Sequence, residues 1–123
     1  MELTDKTILV VEDDPDSLKL LLFILNKANA RVIIAESGKE AQERFQAYPE
    51  IDLVLMDIRL PDYNGIELTK MFKSWRSNIP IIAQTAHAMI AERNKCLEAG
   101  CDAYLTKPIN RDLLMQNIAN LLK

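Results

Sequence analysis

"ILVVEDDPDS", residues 8–17, runs from four apolar side chains straight into Glu12, Asp13, Asp14 and Asp16, with only Pro15 among them. The apolar run reads as a buried strand, and Asp14 followed by Pro15 reads as the N-cap and first position of a helix. The crowding of acids at the strand's end is harder to explain. Like charges a few ångströms apart repel, and partial burial penalises their ionised forms, so folding alone gives no reason to gather them. A positive partner is called for at this point.

Outward from this stretch the pattern repeats. "TILVV" 7–11 is followed by "RVIIA" 31–35, "LVLM" 53–56, "PIIAQ" 80–84 and "AYLT" 103–106, with longer segments of helical period between them. The runs do not alternate in polarity, as expected of parallel strands covered on both faces, so the chain reads as one α/β domain spanning residues 1–123 with five strands and five helices. Leu18, Leu21, Leu22 and Leu25 mark the inner face of the first helix. Ser37 with Glu40 predicts a capping box for the second, whose Ala41, Phe45 and Tyr48 face inward before Pro49. Asn64 with Glu67 predicts the same device for a third helix that buries Leu68, Met71, Phe72 and Trp75. The fourth is expected from about His87 to Gly100, and the fifth from Asn110, carrying Leu114, Ile118 and Leu121.

Composition narrows the function. Fifteen basic and eighteen acidic residues in 123 leave a net charge of −3, without the basic excess of a nucleic-acid binder. The longest apolar run, "LLLFIL" at 20–25, is too short to span a bilayer, and "MELTDK" lacks a signal-peptide pattern, so a cytoplasmic domain without membrane contact is expected. Cys96 and Cys101 could pair in principle, but two cysteines and one histidine make neither a disulfide framework nor a zinc site; both read as reduced, structural thiols.

An open parallel sheet binds ligands outside the carboxyl ends of its strands. Those ends carry Glu12 and Asp13, then Asp57, Thr85 and Lys107. Taken singly, Asp57 could be a turn residue, Thr85 a cap and Lys107 a surface charge; their joint placement points to a site. Clustered carboxylates suit a hard cation such as Mg²⁺, which accepts phosphate oxygens. A lysine beside a metal suggests an incoming anion, and a phosphoryl group fits, with Asp57 as the nucleophile that receives it. Asp14 is excluded as a helix cap.

At this point "VVEDD", "LVLMDIRLPDYNG", "PIIAQTAHAM" and "GCDAYLTKPI" resemble, in order and spacing, the signature segments of response-regulator receiver domains of two-component phosphorelays. The resemblance covers essentially the whole chain. It implies a flavodoxin-like doubly wound sheet of order 2-1-3-4-5. It also implies that Glu12, Asp13, Asp57 and the Arg59 backbone carbonyl hold Mg²⁺, or Mn²⁺ in its place, and that Asp57 is phosphorylated. Thr85 would hydrogen-bond the phosphoryl group and Lys107 would pair with it; Thr85 and Tyr104 would form a switch acting on the fourth helix, fifth strand and fifth helix. Lys107-Pro108 would be cis. The donor implied is a phosphohistidine on a histidine kinase or histidine phosphotransfer domain, and "TAHAM" and "YLTKPI" look especially like receivers of hybrid sensor kinases. Arg59 and His87 occupy positions that tune self-dephosphorylation in the family, where their bulk could shield the phosphoryl group.

On a helical wheel Leu20 and Phe23 fall opposite the inner leucines, predicting an exposed apolar patch for a docking kinase, extended by Pro108 and Ile109, with a weak homodimer contact as the duller use. Three rival functions remain. A flavodoxin-like electron carrier needs a Gly- and hydroxyl-rich first loop, which "EDDPDS" is not. A phosphatase with an aspartyl-phosphate intermediate could use the "DPD" at 14–16 but lacks a cap region, and a constitutive interaction module would not need the acid, Thr and Lys set.

Overall fold

The apolar runs become strands and the periodic segments become helices, in strict alternation. A computed structural model of the chain describes residues 2–87 and 89–123. The strands are β1 (Thr7–Val11), β2 (Arg31–Ala35), β3 (Leu53–Asp57), β4 (Ile81–Thr85) and β5 (Ala103–Thr106). The helices are α1 (Pro15–Lys27), α2 (Gly38–Ala47), α3 (Gly65–Trp75), α4 (Ile90–Ala99) and α5 (Arg111–Leu121). All neighbours pair in parallel, in the order β2-β1-β3-β4-β5.

Every residue of β1, β3 and β4 is buried, whereas the outer strands β2 and β5 are partly exposed. Successive strand residues point to opposite faces, and here both faces are covered. Leu9, Val11, Val54, Met56, Ile81 and Ala83 pack with α2, α3 and α4 on one side. Ile8, Val10, Leu53, Leu55 and Ile82 pack with α1 and α5 on the other. The absence of in-and-out alternation in the sequence is this two-sided burial.

Local capping sets where the helices begin. Asp14 Oδ2 accepts from Ser17 N at 2.9 Å, Ser37 Oγ from Glu40 N at 3.1 Å and Asn110 Oδ1 from Leu113 N at 2.9 Å. The two reciprocal boxes do not form. Glu40 Oε1 takes the N–H of Glu36, at 3.3 Å, rather than that of Ser37. Asn64 Oδ1 accepts from Ile66 N at 2.7 Å while Glu67 lies beside Lys70 instead of reaching back to Asn64.

Three inner-face expectations need correction. Trp75 and Tyr48 are 41 % and 40 % exposed, since each sits at or beyond the last turn of its helix, where the sheet no longer lies beneath it. Trp75 still stacks one face against Phe45 and Phe72, whose own rings lie 4.1 Å apart and parallel within 2°. In α1, Ile24 is fully in the core and Leu22 only partly. Helix α4 begins at Ile90, not His87: its N-cap is Met89, which offers no side-chain oxygen, and His87 is exposed and non-helical, with Ala88 between them outside the described residues. No helix among the described residues is long and apolar enough to cross a membrane.

Candidate functional site

The carboxyl ends of β1, β3 and β4 build one rim. Glu12 N continues the β1 ladder by donating to Ala35 O at 2.9 Å, so its side chain is carried down into the protein while Asp13 turns outward. Val11 is in register with Met56, which sets Glu12 beside Asp57, the last residue of β3. One carboxylate oxygen from each of Glu12, Asp13 and Asp57 lies within 4.8 Å of the others. Lys107 reaches them from the end of β5, its N–H donating to Thr85 O at 2.7 Å and its peptide bond to Pro108 being cis, as the resemblance implied. Its Nζ lies 2.7 Å from Glu12 Oε1 and 3.5 Å from Asp57 Oδ2.

These neighbours set the electrostatics. Burial, then the hydrogen bond and charge of Glu12, push the Asp57 carboxyl up to about 7; Lys107 and the Arg59 N–H pull it back only in part. Burial would lower Lys107, but Glu12 and Asp57 outweigh it and hold the ammonium above its ordinary value. Lys107 therefore supplies part of the missing positive charge. Glu12 Oε2 accepts from Asp14 N at 3.1 Å, whereas its buried Oε1 has no aligned hydrogen bond, only the ion pair with Lys107. An all-oxygen set of three carboxylates with a single ammonium beside it fits a hard cation such as Mg²⁺.

An open cleft of about 490 Å³ lies over this rim, and Asp13, Asp57, Arg59, Lys107 and Pro108 line it. So do Asp14 and Ser17, which carry no expected role there, and His87, which the resemblance placed beside the phosphoryl group. Asp14 is the α1 cap as expected, yet the first turn it starts is itself a wall of the cleft. Thr85 sits below the cleft, 1 % exposed, with Oγ1 accepting from His87 N at 3.1 Å and its hydroxyl proton free to be donated.

Tyr104 faces α4. Its hydroxyl donates to Glu92 Oε1 at 2.8 Å and contacts His87 O at 3.2 Å, and burial followed by the Glu92 hydrogen bond holds the phenol above its ordinary pKa. Glu92 Oε2 also meets Arg59 Nη2 at 3.2 Å. The Arg59 guanidinium is thus committed to α4, leaving its backbone at the rim: Arg59 N donates to Asp57 Oδ1 at 3.2 Å. The loop after Arg59 is clamped at both ends. Asp62 accepts from Gly38 N and Lys39 N at 2.7 and 3.1 Å, placing an acid at the N-terminus of α2, and a Cβ on Gly65 would be driven into the Asp57 carbonyl oxygen.

Leu20 and Phe23 are 38 % and 55 % exposed, with Lys27 Nζ 5.1 Å over the Phe23 ring, and Pro108 is exposed. Ile109 does not extend this patch. It is 8 % exposed and packs with Leu105, Leu114 and Ile118, because the residue after Pro108 turns into the α5 side of the core.

A family model for the response regulator receiver domain matches residues 8–119. Hybrid signal transduction histidine kinase M of Dictyostelium discoideum is 37 % identical over 121 residues, covering 94 % of this chain but 5 % of that protein. The polar-differentiation response regulator DivK of Brucella ovis is 34 % identical over 119 residues, covering 95 % of this chain and 96 % of that one. Among solved structures, the receiver domain of a sensor histidine kinase from Pseudomonas aeruginosa PAO1, with a magnesium ion coordinated in its active site cleft, superposes with a TM-score of 0.87 at 32 % identity, covering 95 % of this chain and 97 % of that chain.

Proposed function

The chain belongs to the response regulator receiver domain family, and we propose on that premise that Asp57 is its phosphoacceptor, taking a phosphoryl group from a phosphohistidine of a histidine kinase or histidine phosphotransfer domain. As a phosphorelay receiver it is a signalling phosphoacceptor and not a general phosphatase or an electron carrier. The observation that carries the residue assignment is the convergence of three carboxylate oxygens within 4.8 Å of one another, with Lys107 Nζ 3.5 Å from Asp57.

The position of Lys107 beside both acids and of the buried Thr85 below the cleft supports these roles. An ionised Asp57 oxygen attacks phosphorus, the phosphorus–nitrogen bond breaks, and its electron pair leaves with the imidazole, which is then protonated. Lys107 offsets charge on the phosphoryl oxygens, and the Thr85 hydroxyl donates to one of them. Glu12, Asp13, Asp57 and the Arg59 carbonyl would hold Mg²⁺, with Mn²⁺ able to substitute; when bound, the ion neutralises the acids and the phosphoryl charge. The same residues let the domain label itself from small phosphodonors and slowly release phosphate to water. Thr85 and Tyr104 pass the change to α4, β5 and α5. Leu20, Phe23 and Pro108 form the docking face for the phosphohistidine bundle, an alternative use being a weak homodimer contact. Residues 1–123 act as one cytoplasmic unit.

The test is direct. With Mg²⁺ and acetyl phosphate the intact mass should rise by one phosphoryl group, located on Asp57, and Asp57→Asn or excess chelator should abolish the gain. Labelling that survives either change would remove Asp57 or the metal from the reading.

A further inference from the structure

Helix α4 ends in a turn that brings the chain's two cysteines together. Gly100 takes a φ of 110°, its N–H donating to Leu97 O at 3.0 Å, and Cys101 N donates to Cys96 O at 3.1 Å. These are the paired bonds of a Schellman motif, and its outermost residues, here Cys96 and Cys101, lie in one buried cluster. Covalent geometry then limits their Cα atoms to about 7 Å apart, the upper limit a disulfide can bridge. The contact position asks only for a small apolar residue, and the phosphoryl chemistry uses neither thiol.

The two thiols are not equivalent. Cys96 is fully buried and Cys101 is 6 % exposed, and both are free. Their mutual hydrogen bond and then burial hold Cys96 above the ordinary thiol range, while at Cys101 that bond, with Lys73 and Arg93, lowers the thiol against burial and the Asp102 charge. Access comes from the helix itself. Cys96 and Ala99 are the only buried side chains of α4, and no side chain caps its N-terminus. Apart from the Glu92 contacts with Arg59 and Tyr104, little apolar area holds this element down, and such elements open at low free energy.

We propose that Cys96 and Cys101 are a peroxide-reactive thiol pair, with Cys101 the attacking thiol and Cys96 the resolving one. The Cys101 thiolate sulfur attacks one oxygen of hydrogen peroxide; the oxygen–oxygen bond breaks, and the leaving hydroxide takes a proton to become water. The product is a sulfenic acid on Cys101. The Cys96 sulfur then attacks the Cys101 sulfur, a sulfur–sulfur bond forms, and the sulfenic oxygen leaves as a second water. The net change is two thiols and one peroxide to one disulfide and two waters. This site stands independently of the phosphoryl reading.

The whole chain should be treated with hydrogen peroxide, denatured and alkylated. The expected product is monomeric on a non-reducing gel, lighter by two hydrogens on the one peptide carrying both cysteines, and takes up no alkylating label. With dimedone present, Cys96→Ala should trap a sulfenic acid on Cys101, at about tenfold or more the yield that Cys101→Ala gives on Cys96. Two free thiols remaining in the wild type at a peroxide dose that oxidises glutathione would overturn the proposal, as would intermolecular disulfides instead. Equal trapping at the two positions would overturn the assignment of roles. Should either alanine variant fail to melt cooperatively, the wild-type disulfide yield decides the pairing and dimedone trapping in the wild type decides which sulfur reacts first.

Discussion

Replacing Asp57 by asparagine should stabilise the metal-free protein, and the gain should depend on pH in a way that identifies its source. The folded carboxyl titrates at about 7 against an ordinary 3.8. For an acid whose folded pKa is raised, the folded state binds the proton more tightly than the unfolded state does. No penalty exists below the unfolded value; it grows as pH rises between the two and is complete above the folded one. A shift of about three units corresponds to roughly 4 kcal/mol, since each unit is about 1.4 kcal/mol. Asparagine cannot keep every contact of the protonated acid, because its amide donor faces the donor of Lys107, so about half, some 2 kcal/mol, should survive. For a chain of this size that is about 6–10 °C in Tm. Thermal melts followed by circular dichroism in chelator, from about pH 4.5 to about pH 8.5, should show the variant about 1 kcal/mol below the wild type at the acid end, where the wild-type penalty is still small, and above it by that margin at the alkaline end. A difference independent of pH, or a wild type more stable above pH 7, would refute the electrostatic account of the rim.

Four further outcomes are expected. Because the proton on Asp57 and a cation compete for the same oxygens, Mg²⁺ affinity measured by calorimetry should fall by up to about tenfold per pH unit below pH 7, with proton release on binding; a flat profile between pH 6 and 8 counts against it. Gly65→Ala should cost about 1–3 kcal/mol in a denaturant titration and cut phosphoryl uptake, because its Cβ displaces the Asp57 backbone; wild-type labelling would show that the loop yields elsewhere. In Glu92→Gln the Tyr104 phenol should titrate closer to its ordinary value, as read by NMR, since the carboxylate that favours the protonated form is gone. Leu20→Ala should slow phosphotransfer from the cognate kinase and leave labelling by acetyl phosphate unchanged, since the small donor needs no docking face; equal slowing with both donors would indicate damaged folding.

Much of this architecture is legible because it is local. "TILVV" and "LVLM" fall within one residue of β1 and β3, and Asp14, Ser37 and Asn110 cap the helices they precede, each decided by neighbours a few positions away. The strand-end rule then gathers Glu12, Asp13, Asp57 and Lys107 without any contact being known. What escapes is where a surface stops. Periodicity puts Trp75 and Tyr48 on inner faces but does not reveal that the sheet ends before them, and it leaves Ile109 looking like a loop residue when the chain turns it inward. The Arg59–Glu92–Tyr104 network escapes for a different reason. Glu92 lies in the polar "AERNK" stretch, and its partners are 33 and 12 residues away, so no local pattern distinguishes it from an ordinary solvated acid.

Lys107 answers only half of the question that "ILVVEDDPDS" poses. Three formal negative charges against one positive leave 1 − 3 = −2 at the rim, the charge that one divalent cation removes. The ammonium does not sit evenly between the acids: it lies 2.7 Å from Glu12 but 3.5 Å from Asp57. The buried acid that can least afford to lack a partner is therefore satisfied first, and the unbalanced charge falls on Asp13 at the surface and on Asp57, 4 % exposed at the floor of the cleft. Without a cation a proton can quiet that carboxylate; on the proposed reading, a cation held there would keep it ionised for attack at neutral pH. Replacing Asp13 or Asp57 with a neutral residue would relieve the rim and weaken its hold on a cation, so the strain at the end of β1 and the affinity of the site have a single origin.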